Sequence, residues 1–112
     1  MTEKMCWAII EGLDWNSDHD YNRINKELKE TLTPDAINQL LDFVLVKAKQ
    51  FKLKFNEVWL SKLEAGEDSW SDICFDVIGR GRDEYEHMTE DRLVEIDYLL
   101  LYQESFIYSF QS

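Results

Sequence analysis

Few side chains in this 112-residue chain have types and spacing that could do chemistry. In DWNSDHDYN, residues 14–22, Asp14, Asn16, Asp18 and Asp20 alternate like the oxygen ligands of a calcium loop. Two positions break the match: His19 stands where the sharp-turn glycine belongs, and Asn25 where the bidentate glutamate belongs. The spacing therefore predicts a polar loop in which Asp18 or Asp20 caps the next helix, and no metal is assigned. The thiols are Cys6 and Cys74, and the imidazoles His19 and His87. A nucleophilic cysteine needs a base beside it. Both cysteines sit among apolar residues and both histidines in acidic, outward-reading sequence, so the thiols read as buried and reduced, with neither disulfide nor zinc.

The remaining chemistry lies in residues 69–88, SWSDICFDVIGRGRDEYEHM. Ser69 is a suitable N-cap and Asp72 places a carboxylate in the first turn, which predicts a helix from Trp70 onward. Trp70, Ile73, Cys74, Val77, Ile78, Tyr85 and Met88 project to one side at the helical period. Gly81 falls in the middle of that side and predicts a close helix crossing. Gly79 falls on the other side, within an outward acidic stripe of Asp72, Asp76, Asp83 and Glu86. Paired carboxylates serve acid and base roles only where burial separates their pKa values, and nothing in the pattern predicts burial. Gly79-Arg80-Gly81-Arg82 lacks the preceding strand and the helix start of a phosphate nest, and its acidic neighbours repel RNA.

Ser71, Asp72, Ile73, Val77, Ile78, Gly81, Arg82 and Tyr85 resemble the pattern of the domain-of-unknown-function 4240 family of small bacterial domains. In these a serine- and acid-rich turn precedes an apolar helix that ends in Gly-Arg and an aromatic. Cys74 and Asp76 stand where that family carries a second aromatic and an arginine. The resemblance implies a helical fold and carries over no catalytic residue.

One proline and four glycines in a chain that is 45% hydrophobic favour one all-α domain over residues 1–112, a bundle of five to six helices. Thr2 caps a first helix that buries Met5, Cys6, Ala8, Ile9 and Leu13, its face widened by Trp7 and Ile10. Tyr21, Ile24 and Leu28 mark a second. Thr33 and Pro34 start a third, the expected central core helix, which buries Ile37, Leu40, Leu41, Val44, Leu45, Ala48 and Phe51 and breaks near residues 52–55. A loop follows at Ala65 to Asp68. Thr89 caps a last helix with Leu93, Ile96, Leu100 and Leu101 or Tyr102 inward, and SFIYSF reads as helix or packed tail.

The formal net charge is -11, and it is uneven. Residues 1–56 hold 9 acids and 8 bases, net -1, whereas residues 57–112 hold 14 acids and 4 bases, net -10. Such a field disfavours nucleic acid and anionic membranes and speeds encounter with a basic protein. The chain shows no leader or membrane-spanning run, so cytoplasmic residence is expected. The expected function is non-catalytic protein binding without cofactor. One form is an immunity protein that neutralises a cognate basic bacterial toxin such as a nuclease, capturing it with Asp72, Asp76, Asp83 and Glu86 and anchoring on Trp70 or Tyr85. The alternative is a regulatory or scaffold module, and an enzyme with an unrecognised site ranks last.

Overall fold

The computed structural model describes residues 1–99 and 105–111, and every described element is helical. The capping residues set the starts. Thr2 accepts the amide of Met5 and opens α1 (Glu3–Gly12). Asp20 accepts the amides of Asn22 and Arg23 and opens α3 (Tyr21–Thr31), after a single turn α2 (Trp15–Asp18). Thr33 caps and Pro34 begins α4 (Pro34–Lys54), which stops at Phe55 before α5 (Asn56–Lys62). Next come α6 (Glu67–Gly79), α7 (Arg82–Glu86) and α8 (Glu90–Leu99), where Thr89 Oγ1 accepts the amide of Arg92. The segment SFIYSF forms a 3-10 helix (Phe106–Phe110), started by Ser105 accepting the amide of Ile107. The expected inward positions Leu100, Leu101 and Tyr102 lie outside the described residues.

The chain is all-α, as its composition predicts, but it contains more helical segments than the five or six expected. The excess comes from the break between α6 and α7, the short turn α2 and the 3-10 helix. The predicted helix from Trp70 to Met88 is in fact α6 and α7. It begins three residues early behind Gly66, with Ser69 exposed inside its first turns rather than capping it. It ends where the amide of Gly81 bonds the Ile78 carbonyl and Gly81 takes φ 112°, a conformation that L side chains rarely adopt. Gly81 is therefore a chain break rather than the middle of one helix, and the close approach expected there is to a side chain of α1, since an added Cβ would stand 3.1 Å from Glu11 Cγ. The orphan amide of Arg82 that follows is taken by Glu11 Oε1 of α1 at 3.2 Å.

The core lies between α4 and α6, with α1 and α3 on α4 and the 3-10 helix on α3 and α6. On α4, Leu40, Val44, Ala48 and Phe51 point inward, but Leu45 is 45% exposed, so the inward face is narrower than the sequence suggested. On α1 the buried residues are Cys6, Trp7 and Ile10, while Met5 and Ala8 face out. The deepest element is α6. It buries Trp70, Ile73, Cys74, Asp76, Val77, Ile78 and Gly79, which belong to both of its sides. Its second side is covered by Trp15 and Phe106, whose rings meet edge to face at 5.2 Å. Gly79 makes that cover possible: a Cβ there would stand 2.6 Å from Trp15 Cδ1 and 3.0 Å from Phe106 Cδ1. Both cysteines are buried and free. Among the described residues no helix is long and apolar enough to cross a membrane.

Gly79→Ala should therefore destabilise the protein by about 1–3 kcal/mol, the cost of overpacking a filled site. Gly12→Ala, where nothing lies within 4 Å of the added methyl, should stabilise by up to about 1 kcal/mol through helix propensity. Urea denaturation midpoints of the two variants against the parent measure both signs.

Candidate functional site

The only buried carboxylate among the described residues is Asp76, in the middle of α6 at 3% exposure. Its Oδ1 accepts the indole N–H of Trp15 at 2.9 Å and its Oδ2 accepts Nε of Arg80, one helical turn on, at 2.6 Å. His19 Nε2 stands 3.3 Å from Oδ1, close enough for an ion pair but off the line a good hydrogen bond needs. Burial pushes this carboxyl up, but His19, Arg80 and Trp15 together outweigh it and hold the group below the usual aspartate range. Asp76 is therefore an ionised, paired centre inside the protein.

Two of its partners come from the segment that reads as a calcium loop. There Asp14 and His19, flanking α2, both take the left-handed conformation at φ 52°. Each such residue costs on the order of 1–2 kcal/mol, so the surroundings must impose it. Arg23 does so from α3. Its Nη2 donates to the carbonyls of Leu13 and Asp14 at 2.9 and 3.0 Å, and its Nε to Asp18 Oδ2 at 2.6 Å. Asp18 Oδ1 also accepts the amide of Asp20, and Asp20 caps α3. The carboxylates of Asp18 and Asp20 thus serve an arginine and the start of α3, as the capping reading expects, while the Asp14 side chain caps nothing. No group of three or more His, Cys, Asp or Glu placed to hold a metal occurs among the described residues.

A histidine against a buried aspartate is also how a general base is oriented. The Cys74 thiol does not suit the role of nucleophile, because burial raises it to about 12 and keeps it protonated at neutral pH. What the arrangement does is fasten α2 and the His19 turn onto α6.

The six residues expected to bind a partner, the acidic stripe of Asp72, Asp76, Asp83 and Glu86 and the anchors Trp70 and Tyr85, are dispersed by the fold. Asp76 is buried beneath Trp15, and Trp70 is 2% exposed, its ring stacked 5.9 Å from that of Trp59. Neither is on the surface, which corrects their assignment as capture and anchor residues. The physical reason is that α6 is covered on two sides, a consequence of contacts remote in the chain. Asp72 is half-buried. Tyr85 is half-buried against Trp7 and Phe51, and its hydroxyl donates to the Lys47 carbonyl at 2.9 Å. Asp83 and Glu86 remain exposed on α7, facing His87 at 3.0 Å and Arg82 at 2.9 Å. The break at Gly81 separates them from the α6 carboxylates. Of the histidines, His87 is exposed as expected, whereas His19 is largely covered.

A more continuous outward stripe lies on α8, which sequence reading took only for its inward side. Asp91, Val94, Glu95 and Tyr98, spaced by three, one and three residues, all face solvent, and Tyr98 is 77% exposed. Arg92 pins this helix to α7 by meeting Glu84 at 2.9 Å and also meets Glu95 at 3.0 Å, while Lys62 of α5 pairs with Glu90. The signal was present in the spacing: an aromatic and a β-branched residue on the polar side of an amphipathic helix.

Comparison of the chain with protein-family models, curated proteins and solved structures found no match.

Removing the Asp76 carboxylate leaves the largely buried Arg80 guanidinium and the Trp15 N–H without an acceptor. Asp76→Ala should cost about 3–5 kcal/mol in urea unfolding at pH 7, the range for breaking a buried ion pair from one side. Because the folded pKa lies below the unfolded one, the stabilisation is present above about pH 4 and is lost as pH falls through the folded value. The gap between parent and variant should accordingly narrow from pH 5 to pH 3; a constant gap would mean that charge has no part in it.

Proposed function

We propose that the protein acts by binding a basic protein partner, without catalysis of its own, through the exposed acidic and aromatic surface of α7 and α8. The observation that carries this reading is the Asp91, Val94, Glu95, Tyr98 stripe, an apolar centre bordered by carboxylates on a helix whose other side is anchored in the core by Leu93 and Ile96. Asp83, exposed on α7, adds to the same field. Exposed acids steer a cationic partner toward the surface, and a tyrosine that is free to be desolvated supplies the anchor that holds it. This retains the capture mechanism argued from charge but moves it off Asp72, Asp76 and Trp70. The buried Asp76 centre supports the same reading, since its acceptors are occupied by side chains that fasten the fold.

Within this class we favour an immunity protein that covers a basic toxin such as a nuclease; a regulatory or scaffold module would use the same surface without abolishing an activity. The test is co-expression and purification with the basic product of an adjacent gene, followed by surface plasmon resonance. Tyr98→Ala should weaken the complex at least 30-fold, about 2 kcal/mol, chiefly by faster dissociation. Asp83→Lys with Asp91→Lys should slow association about tenfold or more and flatten its salt dependence. Unchanged affinity and salt dependence in both variants would overturn the proposal. Stoichiometric loss of the partner's nuclease activity in the complex would mark immunity; full activity in the complex would mark the scaffold form.

A further inference from the structure

The side of α4 that faces away from the core is not an ordinary solvated helix face. Leu40, Val44, Ala48 and Phe51 are buried, and opposite them runs a stripe of Asn38, Asp42, Leu45, Val46, Lys49 and Leu53, all exposed. Leu53 is 74% exposed and Val46 54%, so the stripe is apolar at its middle and at its C-terminal end. Its two charged members stand on either side of the middle. Asp42 and Lys49 are seven residues apart, two turns along the same face and about 10 Å along the axis, too far to pair with each other. Neither takes part in an ion pair among the described residues.

We propose that this face binds a second copy of the chain, with the two α4 helices antiparallel about a twofold axis passing between Leu45 and Val46. In that register residue numbers on facing positions sum to a constant. Asp42 of each copy then meets Lys49 of the other, Leu45 meets Val46 twice over, and Leu53 reaches the Asn38 end of the opposite helix. A twofold interface must be self-complementary, and a helix face with an acid before its apolar centre and a base after it, equally spaced, meets that requirement when reversed onto itself. Any parallel arrangement would instead set Asp42 against Asp42 and Lys49 against Lys49. The distribution of charge also favours this surface over others for self-association, since residues 1–56 carry a net charge of -1 and residues 57–112 of -10. One helix face per copy places the interface at the small end of the size range, below about 1,200 Å² in total, so the dimer is weak and reversible. It uses a different helix from the α8 stripe and leaves that stripe open to a partner.

The experiment is sedimentation equilibrium of the full chain at physiological ionic strength, from micromolar to about millimolar, with circular dichroism to establish that each variant is folded. Because the three positions are exposed, the variants should keep the parent's helicity. A concentration-dependent dimer is expected. Asp42→Lys and Lys49→Asp should each weaken it at least tenfold, because each sets like charges face to face twice per dimer. Combining the two should restore it to within threefold of the parent, as the pair is rebuilt with its signs exchanged, and Leu45→Asp should abolish it. A monomer throughout that range would overturn the proposal, as would single exchanges without effect or a double exchange that fails to restore association.

Discussion

The structure depends on one buried carboxylate. Asp76 draws together an indole from the turn after α1, an imidazole that flanks the same turn, and a guanidinium one helical turn away on its own element. An aspartate in this position is costly unless every lone pair finds a donor, and its donors are themselves positioned by other constraints. Trp15 packs over α6 where Gly79 has no side chain, and His19 faces Asp76 from a loop that Arg23 bonds at Leu13, Asp14 and Asp18 and in which Asp14 and His19 both take φ 52°. Removing any of these supports leaves charge or polar groups buried without partners, so the centre resists gradual loosening.

From that centre the packing follows. One side of α6 lies on α4 in an apolar layer that includes Phe51, Trp70 and Val44, and the other lies beneath Trp15 and Phe106, so the helix is enclosed. The 3-10 helix near the C-terminus is held in place from α3, where the Asn25 amide donates to the carbonyls of Ser109 and Gln111 at 2.9 and 2.6 Å. The ends of the described chain thus converge on α6, and the acidic α7 and α8 are left at the periphery. The interior is thus fastened by polar contacts, and the exposed carboxylates of α7 and α8 lie outside it.

Much of the architecture was legible in the residues. Thr2, Asp20, Thr33 and Thr89 cap where their types predict, Pro34 begins its helix, and the break before α5 falls where the apolar phase shifts. These are local effects, decided within one or two turns. Reading failed where a residue's environment is supplied from far along the chain. Asp76 sits among carboxylates at helical spacing and reads as outward; only Trp15, 61 positions earlier, and Phe106, 30 positions later, turn that side inward. For the same reason Gly79, read as bare backbone within an outward stripe, is the site of closest approach, and Gly81 breaks the helix. The close approach is to a side chain brought in by tertiary contact, and the break is completed by Glu11 of α1.

By itself, then, the amino-acid order determined the helical class, the starts of α1, α3, α4 and α8 and the concentration of negative charge in the second half, because capping, propensity and composition act over short range or are sums over the chain. Tertiary structure alone decided which carboxylate is buried, which aromatic residues are exposed and which helix faces remain uncovered. Those outcomes depend on how many neighbours enclose each helix, and helical periodicity describes one face at a time without saying how many of them will be covered.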